Sequence, residues 1–286
     1  MSAPTVIVRA TADVGEGPFW HKEKGVVHWV DIPSGLIMTT QYPSGETTTF
    51  THHEMVGAAI PRKNGGMVAA VQSGFVGFDD NWEITHTIPL LADGYRMNDA
   101  ATDPSGRMWA GSNTLNFVPG EGALWRLDHD WNADIVHTGL TLPNGIGWSP
   151  DGTTMYLVDS MEKLILQFPF DPASAQIVGE PTVFAHPASF EGLPDGLAID
   201  TRGHLWVAEF GASQVTEFSP VGDIVSRIAI PTKQPTSLAF VGSGRDRLWV
   251  TSAASGLNPA TDPLAGSVFE IANTPAPGLT VQLFGG

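Results

Sequence analysis

Four side chains with oxygen atoms to offer, Glu16, Asn98, Asn144 and Asp195, each open a short segment of similar pattern. The segments are Glu16-Gly17-Pro18-Phe19-Trp20, Asn98-Asp99-Ala100-Ala101, Asn144-Gly145-Ile146-Gly147-Trp148 and Asp195-Gly196-Leu197-Ala198. Residues at matching places in a repeat meet wherever the repeats surround a common axis. Two carboxylates and an amide oxygen gathered there form a seat for a hard divalent cation, because an all-oxygen donor set suits Ca²⁺, Mg²⁺ or Mn²⁺ better than a soft metal. Left without a cation, such carboxylates repel one another and their pKa values rise. Asn-Gly and Asp-Gly are also common turn pairs, so the functional reading rests on their shared place in the repeat.

The repeat positions these residues. Its units open at Glu16, near Gly57, and at Asn98, Asn144, Asp195 and Thr236, a spacing of roughly 40 to 50 residues that belongs to propeller blades or helical arrays. In the last four units a glycine follows eight residues on (Gly106, Gly152, Gly203, Gly244) and an aromatic residue soon after (Trp109, Tyr156, Trp206, Trp249). The first unit keeps the plan with Gly25 and Trp29, whereas the second, around Gly65-Gly66, lacks the aromatic. Two more strand-like runs complete each unit, such as Leu164 to Phe168 with Ile177-Val178, Val215 to Phe218 with Ile224 to Ile228, and Val268 to Ile271 with Leu279 to Leu283. No window carries a convincing 3.6-residue period. The expectation is an all-β fold, a six-bladed β-propeller with four antiparallel strands per blade, over a single domain of residues 1–286. Either Thr5 to Arg9 or Leu279 to Leu283 closes the last blade. The repeated aromatics are read as filler between blades.

Composition narrows the function. Of 286 residues 30 are acidic and 14 basic, a formal charge of −16 that repels nucleic acid and anionic membranes. With no cysteine, thiolate chemistry is excluded. The start lacks the basic and long apolar regions of a secretory signal, and no run approaches the ~20 apolar residues of a membrane span. A cytoplasmic protein is expected. A Gly-x-Ser-x-Gly elbow, a phosphate loop and a dinucleotide fingerprint are all lacking. His52 and His53, adjacent on an assumed strand, would point to opposite faces and are read as surface residues.

Several further segments complete the pattern: Val30-Asp31-Ile32, Arg96-Met97-Asn98-Asp99, Asp103-Pro104-Ser105-Gly106-Arg107-Met108-Trp109-Ala110-Gly111, Gly122-Ala123-Leu124-Trp125-Arg126, Pro194-Asp195-Gly196 and Leu205-Trp206-Val207-Ala208. With the opening segments they run through nearly the whole chain. Together they resemble the senescence-marker-protein, gluconolactonase and luciferin-regenerating-enzyme family, which includes regucalcin. The resemblance implies one divalent ion held by Glu16, Asn144 and Asp195, with Ca²⁺ the leading expectation and Zn²⁺, Mn²⁺ and Mg²⁺ open. It also implies that Arg96 and Asn98 contact substrate oxygens and that Asp195 acts as the base. Where sugar-specific members carry an acidic residue after the Gly111 region, this chain has the neutral loop Ser112 to Phe117. Asn116 is the expected substitute there, and Leu115 and Phe117 would suit a less polar lactone.

The expected activity is metal-dependent hydrolysis of a small-molecule sugar lactone to its aldonic acid. Two alternatives stay open: an organophosphate or arylester hydrolase on the same metal site, and a non-catalytic ligand-binding propeller.

Overall fold

A computed structural model describes residues 1–286, nearly all of them in short strands and turns. The strands form six antiparallel sheets, five of them laid out in chain order from the axis outwards and the sixth completed at its outer edge by the N-terminal strand Thr5–Val8. The inner strands are Gly15–His21, Val56–Pro61, Tyr95–Thr102, Pro143–Trp148, Leu193–Ile199 and Pro235–Val241. Each touches the inner strands before and after it, the last touching the first, so the six blades close into a ring. This is the six-bladed propeller of four-stranded blades that the repeat predicts. No helix is long and apolar enough to cross a membrane.

Burial follows position in the blade. Second strands lie between neighbouring blades and are buried along their length, as in Val26–Asp31, whereas outer strands such as Ile84–Pro89 and Ile224–Ala229 are largely exposed. The core is therefore divided into six apolar clusters, one at each blade interface. The repeated Trp109, Trp206 and Trp249 are fully buried, and each indole N–H meets a carboxylate, on Asp103, Asp200 and Glu270 respectively. Their role as interblade filler with a satisfied polar edge agrees with the reading from sequence.

One outer edge that the sequence left open is settled, and a second differs from expectation. The last blade is closed by the N-terminal strand Thr5–Val8, paired with Val268–Ala272, and not by Leu279 to Leu283. The C-terminal segment instead crosses the face where the glycine turns lie. Leu279 N–H donates to Ile199 O, the Thr102 hydroxyl to Gln282 O, Phe284 N–H to Pro61 O and Gly285 N–H to Gly106 O. It thereby straps blades two, three and five. In blade four, Gln176–Ile177 pairs only with the end of Leu164–Asp171, and Thr182–Ala185 supplies the rest of the outer edge.

Phe284 anchors the strap, fully buried in the cluster between blades two and three with Phe19, Ile60 and Met97. Phe284→Ala is expected to lower the unfolding free energy by about 3–5 kcal/mol, read as a lower urea midpoint at unchanged slope. An unaltered midpoint would mean that the strap is not docked.

Candidate metal and substrate site

Strand register defines the ring. In the six blades the inner and second strands pair as Gly15 with Asp31, Val56 with Val71, Met97 with Ser112, Pro143 with Asp159, Pro194 with Glu209 and Pro235 with Ser252. The next residue of each inner strand is Glu16, Gly57, Asn98, Asn144, Asp195 and Thr236, the six positions matched in the sequence. At or beside each of these residues the register shifts. A local excess of one residue turns a side chain that would lie against a neighbouring blade towards the axis, a common use of a β-bulge.

Small residues let the ring close. A Cβ at Gly57 would lie 2.2 Å from Asn98 O, one at Gly145 2.7 Å from Asp195 O, and one at Gly196 2.1 Å from the Ser237 hydroxyl. Each contact is with the next blade. The glycines after Asn144 and Asp195 thus serve close backbone approach, and neither has a positive φ.

Glu16, Asn98, Asp99, Asn144 and Asp195 are all buried. Glu16 is raised to about 8 by burial first and then by Asp99, while Asp99 is raised to about 6 by burial. Asp195 lies well above the ordinary carboxylate range, through burial and then the charges of Glu16 and Asp99. Burial also lowers Arg96 to about 10, against the opposing pull of Glu16 and Asp195. The structure therefore brings Glu16, Arg96 and Asp195 within electrostatic reach, together with a third carboxylate, Asp99, to which the sequence reading gave no role. Its signal was available: glycine or serine follows the ring residue in four of the other five blades, so an aspartate there stands out.

The donor atoms fit a cation. Asn144 donates its amide to the Ser160 hydroxyl at 3.1 Å, which leaves Oδ1 as its free atom. Asn144 Oδ1 and Asp195 Oδ1 are both buried without a hydrogen-bond partner, a costly state that a bound ion relieves. Asn98 is differently engaged. Its oxygen accepts from Arg96 at 2.6 Å and its amide donates to Pro143 O at 2.9 Å, so both ends are occupied. Asn116 lies in the exposed turn after Met108–Thr114, on the same face as the ring. Leu115, Phe117 and Val118 of that loop, and Met161 of the next blade, are exposed apolar residues on this rim.

A channel of about 350 Å³ continues beneath the ring, lined in part by Asp99, Trp20, Trp148 and Leu238 and bordered below by the strap residues Leu279 to Gln282. His52 and His53 are not on a strand. Their rings lie 4.3 Å apart, and His52 is buried edge-on to Phe78. This corrects the surface reading of His52, whereas His53 is exposed.

Residues 14–254 match the family described as SMP-30/Gluconolactonase/LRE-like region. The chain belongs to this family. It is 31% identical to a 6-deoxy-6-sulfogluconolactonase of Pseudomonas putida over 98% of both chains. It is 28% identical to the pentonolactonase XacC of Haloferax volcanii over 93% of both. Among solved structures it is similar to a calcium-binding regucalcin of Agrobacterium tumefaciens, with a TM-score of 0.94, 27% identity, and coverage of 99% of this chain and 97% of that one.

Buried carboxylates with raised pKa values couple stability to pH. In metal-free protein the folded state holds protons on Glu16, Asp99 and Asp195 that the unfolded chain has released, so unfolding free energy falls as pH rises. The stability is fully present below the unfolded carboxylate values near 4 and is lost as pH climbs through about 6 and about 8. Thermal melts of chelator-treated protein between pH 5 and 8.5 are expected to show a falling Tm. Saturating Ca²⁺ should flatten that slope, and apparent Ca²⁺ affinity should rise with pH because binding displaces protons. A flat metal-free profile would contradict this account.

Proposed function

We propose that this protein is a lactonase that opens a sugar lactone to its aldonic acid with one divalent ion held by Glu16, Asn144 and Asp195, within one unit spanning residues 1–286. The observation that carries this reading is the pair of unpartnered buried oxygens, Asn144 Oδ1 and Asp195 Oδ1, beside the raised carboxyl of Glu16. The lactonase names of the relatives supply the substrate class. The all-oxygen donor set and the calcium-binding regucalcin point to Ca²⁺, with Mn²⁺, Mg²⁺ and Zn²⁺ as ions to compare.

When bound, the ion supplies Lewis-acid polarisation of the lactone carbonyl. The chain's own residues account for the rest. Asp195 accepts a proton from water as the water oxygen bonds to the carbonyl carbon. The bond from that carbon to the ring oxygen then breaks, and the ring oxygen leaves as a hydroxyl with the returned proton. Arg96, charged and held by Asn98, donates to lactone oxygens and fixes the ring. Asn98 contacts substrate itself only by exchanging one of its present bonds, so its larger share is to orient the guanidinium. Asn116 takes the place of an acidic residue towards substrate hydroxyls. The apolar rim of Leu115, Phe117, Val118 and Met161 favours a lactone with a less polar substituent.

Asp195→Asn is expected to lower kcat by at least about 100-fold, measured on five- and six-membered aldonolactones with each of the four ions, while the metal-free protein stays folded. Wild-type turnover in that variant would overturn the assignment of the base. The same rim suits an arylester or phosphotriester, so gluconolactone and a phosphotriester are assayed side by side. Higher kcat/KM on the phosphotriester would move the substrate class.

A further inference from the structure

The residue facing the one before each ring position, at or near the end of the second strand, is Asp31, Val71, Ser112, Asp159, Glu209 and Ser252 in blades one to six. Carboxylates occupy it only in blades one, four and five, whose ring residues are Glu16, Asn144 and Asp195. All three are buried, and each turns inward on the loop that leads into its own ring residue. Asp31 accepts from Asp13 N–H at 3.1 Å and Val14 N–H at 2.9 Å; Asp159 accepts from Thr141 N–H at 2.8 Å and Leu142 N–H at 3.0 Å. In both blades the bonds fall three and two residues before the ring residue, one on each carboxylate oxygen. Glu209, one methylene longer, reaches one residue further back: its Oε2 accepts from Glu191 N–H at 2.8 Å and Gly192 N–H at 3.0 Å. Its Oε1 is held by Gln214 and Thr216.

Closing these loops does not require a carboxylate. One backbone bond recurs in ligand blades one and four (Ile32 N–H to Val14 O, Ser160 N–H to Leu142 O) and in blades two and six (Gln72 N–H to Met55 O, Ala253 N–H to Gln234 O). Blades two and six make the same turn with valine or serine at the strand end. In blade six Lys233 N–H donates to Asp262, which comes from a separate loop. A buried carboxylate is costly unless its oxygens are filled, and here at least one oxygen of each is filled by the backbone leading to a candidate ligand.

We propose that Asp31, Asp159 and Glu209 are positioning residues for the bound cation. Each fixes the backbone two to four residues before one ligand, so that the three oxygens converge before the ion arrives. Partners behind the ligands commonly govern metal affinity in this way. The inference rests on the reading of Glu16, Asn144 and Asp195 as ligands.

The test compares full-length wild type with Asp31→Asn and Asp159→Asn, each of which turns one acceptor into a donor facing a backbone N–H group, and with Glu209→Ala, which removes the acceptor of both backbone N–H groups. Asp103→Asn serves as control, because Asp103 is equally buried and accepts backbone N–H bonds from Ser105 and Arg107 at the opposite face. Ca²⁺ affinity is measured by calorimetry, and Tm with and without Ca²⁺. The three variants are expected to lose affinity on the order of 10- to 100-fold and to show a smaller Ca²⁺-induced rise in Tm. The control should lose Tm equally in both states and keep its affinity. Asp159→Glu, which retains the charge and shifts the contact upstream as Glu209 does, is expected to recover most of the affinity and covers the case in which Asp159→Asn does not fold. Wild-type affinity in the folded variants, or a loss as large in the control, would overturn the positioning role while leaving the ligand assignment standing. Failure of wild type to bind Ca²⁺ or any of the other three ions would overturn both.

Discussion

Burial of three like charges around one axis is the constraint on which this architecture turns. Glu16, Asp99 and Asp195 are screened from solvent, and each carboxyl is raised chiefly by that burial. Such a cluster can be relieved by protons, by a guanidinium or by a metal ion. Arg96 supplies one positive charge against three carboxylates, and its oxygen partner is the neutral Asn98. In the proposed reading, the remaining imbalance and the two buried oxygens without a hydrogen-bond partner are what a small cation would relieve.

The fold imposes this cluster through features that repeat. An extra residue beside each ring position re-aims the side chain, and the glycines after Asn144 and Asp195 allow the next blade to approach to a distance no Cβ would tolerate. Flexible loops could gather the same oxygens only by giving up conformational freedom on every binding event. Strands braced on both flanks by buried second strands lose that freedom once, during folding. The strap from Gly278 to Gly286 acts at the other end of the channel, tying blades whose inner ends must stay together.

Periodic features were legible in the sequence: the spacing of blade starts, the turn glycines, the interblade tryptophans and the ring residues all recur, and repetition separates signal from coincidence. Features that occur once were not. Leu279 to Leu283 has the composition of an edge strand, as Thr5 to Val8 does, and local pattern says nothing of which segment reaches the open edge first. The outer edge of blade four was misplaced because Gln176–Ile177 and Thr182–Ala185 are both short and polar at their flanks. His52 was placed on a strand, where alternation would expose one of two neighbours, but the chain leaves the strand at Thr51 and folds the ring against Phe78. Asp31, Asp159 and Glu209 repeat in register, yet each sits inside an apolar run whose end the sequence marks only loosely.

The ring is also uneven, and the unevenness bears on direction of approach. Candidate ligands come from blades four, five and one, while between the last two the Thr236 hydroxyl donates to Gly15 O and stands beside the Thr251 hydroxyl. On the opposite side blade two contributes Gly57, which has no side chain, and blade three contributes Asn98, whose oxygen is taken by Arg96. A cation held by the first group would therefore have no candidate ligand among the ring residues of blades two and three, and that flank is bordered by the Arg96 guanidinium. In the proposed reading, a lactone arriving there would meet positive charge on two sides of its ester, which a symmetrical ring of six ligands would deny it.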